Sequence, residues 1–515
     1  MPLFDLHSHF SFKPANSYST ADVLPDVDHW NERLKRKKEW LGFSAALANE
    51  VVKSSQLHGN AATEGGFRVI VNGLYPLEEG FVHPGFIAEL ATLTGHAFDT
   101  LNAILERRIS PFAVMEREYR NLLDGSARTG LSAKGNRFVV VRSHAEIIAA
   151  LRDDPDTICI VNSIEGAHAF GDTLRDEQGN TVSLRSAERR YLWGVGDGPR
   201  RRDFMRLVDG MRANIAKVKQ WEHPPFFVTF SHHYYNHLAG QSPSLSGIVK
   251  VLVSQKGTAP NESDTGVTSY YRLGFRSWGL KVLADLIRRN ANTGERRILI
   301  DTKHLSPQAR SEYYTIVDQA RSRGDHIPII ASHTAVNGRK ALDRTMANVD
   351  AIYSDEKEST QFFHPGAINL FDDEIKRIVA SDGIMGLMID ERRIMGRAMP
   401  PEAGVSMTAF KAATKANKRL MKEWTLAKQR HAWGEINATV LKQELTRIDA
   451  ASQVELAKLR PAYLSVLCRQ LFHIMALDGV GVNGWYHVAL GTDYDGVINP
   501  VDIYRQSSDM RTLRD

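Results

Sequence analysis

The sequence predicts a closed (β/α)₈ TIM barrel with a helical insertion between its seventh and eighth strands, on three observations. Six short apolar runs each stop at a residue that can ligate a metal: FDLHSH, TICIVNSIEG, FFVTFSHH, ILIDTKH, IPIIASH and HVALGTD. A barrel strand that delivers a side chain to its C-terminal rim reads this way. Eight strand-length runs in all alternate with segments long enough for a helix, which argues for parallel βαβ units. Six such ends also need one rim on which to converge. A doubly wound sheet places its ligand at a strand-order switch point and has no use for six.

Taken in order, the expected strands are 3–7, 67–74 (FRVIVNGL), 157–164, 226–231, 297–302, 327–332, 384–389 (IMGLMI) and 487–492. The expected helices include 83–108, 269–289 and 307–323. In the first of these Ile87, Leu90, Ala91, Phe98, Leu101 and Leu105 keep helical spacing, interrupted by Thr94. Two segments exceed a minimal barrel. One runs from about 10 to 66, and the other, from about 391 to 470, is rich in helix formers with no proline from Thr408 to Leu459. An insertion on the rim that carries the site serves as a lid or a subunit contact. The whole chain, 1–515, reads as one domain.

Composition fits an ordinary globular chain, with 43% hydrophobic and 24% charged residues in a length of 515. MPLFDLHSHF has no basic region followed by an apolar one, and no stretch approaches a membrane span, so a cytoplasmic protein without membrane partners is expected. Cys159 and Cys468 make no metal or disulfide spacing; Cys159 reads as core. The net charge of +5 gathers in local runs at 33–40, 198–206 and between Lys411 and Lys428. These read as solvated helix faces, and no aromatic-interleaved motif turns them into a nucleic-acid site.

The chemistry lies at the strand ends. His7 and His9 are two residues apart, so on a strand they share a face and can chelate one metal. Glu165 closes an apolar run, where a carboxylate needs a partner, and the adjacent glycine frees room for a ligand. His304 and His333 close two further strands and supply neutral imidazoles for a second metal, with a carboxylate shared between the ions. Asp493 in LGTDYDG is placed to move a proton, while Asp495 orients the loop.

This series resembles the membrane (renal-type) dipeptidase family, peptidase family M19 of the amidohydrolase superfamily. SIEGAHAFG at 163–171, FSHHYYNHLAG at 230–240, ILIDTKHLS at 298–306, IIASHT at 329–334 and HVALGTDYDGV at 487–497 follow the order of the family's motifs, as does NLFDDEIKRIVASDGIMGLM at 369–388. The resemblance implies two zinc ions and hydrolysis of a dipeptide or related small amide by a metal-bridging hydroxide. His7 and His9 would hold one ion, His304 and His333 the other, and Glu165 would bridge. Asp493 would handle the proton and His232 would contact the substrate. Arg344, with Arg339 close by, falls where the family places an arginine for the substrate carboxylate, and a homodimer is the family's assembly. Two positions depart from the family pattern: His9 stands where it has aspartate, and Lys303 where it has serine. DLHSH also resembles the opening of the polymerase-and-histidinol-phosphatase phosphoesterases, so a phosphoester or lactone substrate stays open, as does a barrel that has become a non-catalytic scaffold.

Overall fold

The computed structural model describes residues 2–16, 27–31, 55–82, 98–129, 135–175, 181–182, 199–242, 244, 273–342, 361–496 and 498–514. Nine parallel strands form the main sheet: β1 Leu3–Ser8, β2 Phe67–Leu74, β3 Phe138–Val141, β4 Ile158–Glu165, β5 Phe227–Thr229, β6 Leu299–Asp301, β7 Ile330–Thr334, β8 Ile384–Leu387 and β9 Val488–Leu490. The order β2-β1-β9-β8-β7-β6-β5-β4 is closed by pairing of β2 with β4, so eight strands make a barrel.

The ninth strand, β3, was not among the expected eight. It pairs with the first half of β4, Phe138 opposite Ile158 through Val141 opposite Val161, while β5 pairs with the end of β4, Ile164 opposite Val228. One edge of β4 thus serves two neighbours in succession, which leaves Glu165 beside Thr229 of β5. β7 also differs from expectation. It begins at Ile330 and runs through His333, so that histidine is part of the strand rather than beyond its end.

Helices cover the barrel. Of the expected segment 83–108, residues 83–97 lie outside the described residues and Phe98–Leu105 is helical (α1). Pro111–Thr129 (α2), His144–Asp153 (α3) and Pro199–Val218 (α4) follow. The segment expected at 269–289 is helical at Ser277–Ile287 (α5), burying Trp278, Val282, Leu283 and Leu286 on one stripe against the barrel core. Each such side chain contributes about 1.5–3 kcal/mol. Pro307–Ser322 (α6) starts where Ser306 accepts the Ala309 N–H and proline takes the first helical position. Asp372–Ala380 (α7) precedes β8.

Between β8 and β9 stand two long helices, Met407–Ala432 (α8) and Ala438–Met475 (α9). The segment expected to be helical is two helices: the break comes at Gly434, with φ of 75°, and Asn437 caps α9 through the Val440 N–H. The second helix continues through Pro461, because the apolar contacts of Leu459, Ala462, Tyr463 and Val466 hold it there. Ser452 donates to Asn417 between the two helices (2.8 Å). Phe410, Tyr463 and Val466 share a buried cluster with Phe10, Tyr494, Val501 and Tyr504, which seats the helical pair on the loops after β1 and β9. Lys411, Lys415, Lys418 and Lys422 are exposed along α8, as expected of a solvated face. No helix among the described residues is long and apolar enough to cross a membrane.

Candidate metal centre

The C-terminal rim gathers five histidines and two carboxylates. His7 lies in β1 and His9 just past it; Glu165 is the last residue of β4, and His333 lies in β7. His232, His304 and Asp493 each follow their strand by three residues, after β5, β6 and β9. His304 and Asp493 have left-handed backbones, with φ of 65° and 55°. Non-glycine residues rarely adopt that region, and it turns both side chains inward where the chain leaves the sheet.

Two groups of donor atoms emerge, each with its members within 4.8 Å of one another: His7, His9, Glu165 and Asp493, and Glu165, His304 and His333. Glu165 belongs to both. Its Oε1 lies 3.1 Å from His7 Nε2 and its Oε2 lies 3.1 Å from His9 Nε2, while His232 Nε2 stands 3.3 Å from Oε1 and His333 Nε2 4.0 Å. Asp493 Oδ1 is 3.3 Å from His9 Nε2 and 3.7 Å from His7 Nε2.

The tautomers these contacts dictate fit cations. His9 Nδ1 faces the Gly73 carbonyl at 3.1 Å, and a carbonyl only accepts. In the neutral ring the Nε2 lone pair then points at Glu165 and Asp493, acceptor against acceptors. His333 Nδ1 donates to Ser332 Oγ (2.8 Å), whose hydroxyl donates to Asp301 (2.6 Å), so its Nε2 lone pair is turned to the site. There it meets His304 Nε2 at 3.1 Å. The opposed lone pairs around His9 are relieved by a positive charge among them, and the two imidazoles of His304 and His333 are close enough to share one. His7 Nε2, His9 Nε2 and Glu165 Oε1 are buried without a hydrogen-bond partner, and together they could hold a metal ion. Neighbouring side chains brace the candidate donors: Asp301 also accepts from Thr229 Oγ1 (2.6 Å), and Asp5 accepts from Thr492 Oγ1 (2.6 Å).

Electrostatics follow from burial and neighbours. Burial raises Glu165, but His232, His9 and His7 outweigh it and hold the carboxyl well below the usual range. Burial, the positive potential of His232 and Lys303, and the second imidazole keep His304 far down; burial, His7 and Lys303 do the same for His333. Neutral imidazoles are what a metal binds. Burial lowers His9, yet Glu165 and Asp493 lift it well above the ordinary value. Burial and then Arg393 bring the Lys303 ammonium down to about 7.

Some side chains of the candidate site carried no signal in the sequence. Glu78 is buried and accepts from His232 Nδ1 (3.0 Å), from Tyr75 Oη (2.7 Å) and from the Tyr234 N–H (3.0 Å). Burial pushes its carboxyl up, but His232 and its hydrogen bond bring it to about 2, so it stays anionic and fixes the imidazole. Gly73 leaves space for both first-strand histidines: a Cβ there would sit 3.1 Å from His7 Cε1 and 3.2 Å from His9 Cε1. The glycine after Glu165 has another reason than ligand space. Gly166 has φ of 91°, and a Cβ would meet the His168 ring at 2.2 Å. Asp495 accepts from Lys13 Nζ (2.5 Å), Ser55 Oγ (3.0 Å) and the Gln56 N–H (2.7 Å), which ties the loop after β9 to residues 55–57. Arg339 lies in the turn after β7, its N–H donated to Asn337 (2.9 Å); Arg344 lies outside the described residues.

No family model matches the chain, and no curated protein does. Solved structures do. One, described as the probable dipeptidase PvdM from Pseudomonas aeruginosa, is 15% identical over 89% of this chain and 82% of its own, with a TM-score of 0.44. The dipeptidase AC, a metallopeptidase of family M19, is 13% identical over 100% of this chain and 90% of its own, at 0.42. A metallopeptidase from Rhodobacter sphaeroides, liganded with a phosphinate mimic of the dipeptide L-Ala-D-Ala, is 12% identical over 100% of this chain and 91% of its own, at 0.44.

Proposed function

We propose that this chain is a binuclear metal-dependent hydrolase of the M19 dipeptidase kind, acting on a dipeptide or related small amide. The observation that carries the reading is Glu165, whose carboxylate belongs to both donor sets at once. His7 and His9 would hold one ion and His304 and His333 the other. The nitrogen-and-oxygen donor set suits zinc. Bound there, divalent ions supply Lewis acidity toward a carbonyl and lower the pKa of water toward neutrality.

The chain's own groups do the rest. Asp493, between the first-strand histidines and the open rim, accepts the proton of the attacking water and returns it to the leaving amine. His232 is aimed by Glu78, to which its Nδ1 donates; although burial opposes its charge, Glu165 and Glu78 favour the imidazolium, which donates from Nε2 to the oxygen on which charge develops. Glu78→Gln keeps the shape and removes the charge that fixes His232. A fall in kcat of about 10–100-fold with metal content unchanged is expected, and full activity in that variant would take Glu78 out of the mechanism.

The reading is tested by measuring the metal content of the purified protein together with release of amino acids from a mixed dipeptide library, before and after chelation. About two ions per chain with chelator-sensitive release supports it. Two ions without dipeptide turnover moves the search to other amides, lactones and phosphoesters, and a protein that takes up no metal ends the hydrolase reading.

A further inference from the structure

The barrel strands are not joined evenly near the rim. Among the described residues β1 and β9 register a single pair, Asp5 opposite Leu490, and so do β6 and β7, Asp301 opposite Ile330. By contrast, β5 with β6 and β8 with β9 register three pairs each. At both short seams the aspartate of that single pair carries the joining on. Asp301 Oδ1 accepts the Ser332 N–H (2.9 Å) and Oδ2 the Ser332 hydroxyl (2.6 Å). Asp5 Oδ1 accepts the Thr492 N–H (2.9 Å) and Oδ2 the Thr492 hydroxyl (2.6 Å). Ser332 and Thr492 each lie two residues beyond the partner of the aspartate, and the next residue is a donor of the candidate site, His333 at one seam and Asp493 at the other. The same offsets at two seams mark a built arrangement.

At the β6–β7 seam the arrangement also has a direction. A carboxylate only accepts, so all four groups around Asp301 donate to it: the N–H of Lys303 (3.0 Å) and of Ser332 to Oδ1, the hydroxyls of Thr229 (2.6 Å) and of Ser332 to Oδ2. With its hydrogen given to Asp301, the Ser332 hydroxyl can only accept from His333 Nδ1 (2.8 Å), which leaves Nε2 bare. An asparagine in place of Asp301 would make as many bonds in the same space. Its oxygen would take the two N–H groups and its two amide hydrogens the two hydroxyl oxygens. The Ser332 hydroxyl would then turn its hydrogen to His333 Nδ1, and the ring proton would move to Nε2, where it bars a cation.

We propose that Asp301 is a positioning residue that acts through Ser332 to fix which nitrogen of His333 carries the proton. That the bare nitrogen receives a metal rests on the hydrolase reading. The direction of the hydrogen bonds does not.

The test is nitrogen NMR of the metal-free protein labelled in its histidines, with the His333 signals assigned by their loss in His333→Gln, and cobalt(II) uptake measured on the same preparations. The wild type should show the Nδ1–H ring. Asp301→Asn should show the Nε2–H ring, melt near the wild-type temperature, and bind the cobalt of the His304–His333 pair about 10–100-fold more weakly. Ser332→Ala, which removes the relay, should weaken that ion as well, and Ser332→Thr, which keeps a hydroxyl as Thr492 does, should hold it close to wild type. A merely structural role predicts the opposite order, because threonine adds a methyl at a fully buried position and alanine does not. An Nδ1–H ring in Asp301→Asn, or cobalt held by Ser332→Ala as tightly as by the wild type, overturns the proposal. Should Asp301→Asn fail to fold, the two Ser332 variants decide. A wild type that keeps its Nδ1–H ring, loses it in Asp301→Asn and takes up no cobalt would end the hydrolase reading and leave the positioning role standing.

Discussion

Glu165→Gln is expected to remove bound metal and hydrolytic activity together. The substitution keeps the volume of a side chain that is 2% exposed, but takes one negative charge from a space where His7, His9, His232 and His333 all lie within 4.0 Å of its oxygens. An amide offers one acceptor oxygen and a pair of N–H donors, and the donors would point at lone pairs that should face a cation. Because the carboxylate serves both donor sets, losing it weakens both rather than one. The expected fall in kcat/KM is at least about a thousand-fold, ~4 kcal/mol of transition-state stabilisation, with metal content dropping from about two ions per chain toward none. Two retained ions and turnover within tenfold of wild type would remove Glu165 from the centre of the site.

The parts of the site that sequence reading reached share one property: they end apolar runs. His7, Glu165, His304, His333 and Asp493 are announced by strands, because a strand of Val, Ile and Phe that stops at a ligand type is a rare local pattern. Glu78 has no such announcement. It sits in YPLEEG, where two neighbouring acids look like an exposed turn, and its burial comes from Tyr75, His232 and Tyr234 closing over it. Lys303 drew notice only as a departure, since burial is a property of the assembled barrel. β3 escaped because FVVV is short and because its place, beside half of β4, is a tertiary fact. The left-handed backbones of His304 and Asp493 were equally silent, as aspartate and histidine both visit that region without a sequence signature. The strand at 67–74 has the expected bounds, and the others differ from expectation by up to three residues for the same reason. Hydrophobicity marks where a strand is buried, and pairing with its neighbours decides where it starts.

Asp493→Asn is expected to leave the ions in place and abolish turnover. Asparagine tolerates a φ of 55° as well as aspartate, and the bond from the Asp493 N–H to the His7 carbonyl (2.8 Å) involves only backbone. The fold and the loop should therefore survive. What is lost is a group able to take a proton from water and hand it to an amine, which contributes about 10²–10⁴ in kcat. KM and metal content should stay close to wild type, and the two quantities have to be measured on the same preparation. Asp493 Oδ1 is close enough to His7 and His9 to be a ligand instead, at 3.7 and 3.3 Å. The variant separates these roles: a ligand's loss lowers metal content in step with activity, and excess zinc restores part of both. A proton carrier's loss leaves a fully loaded protein that excess zinc does not revive.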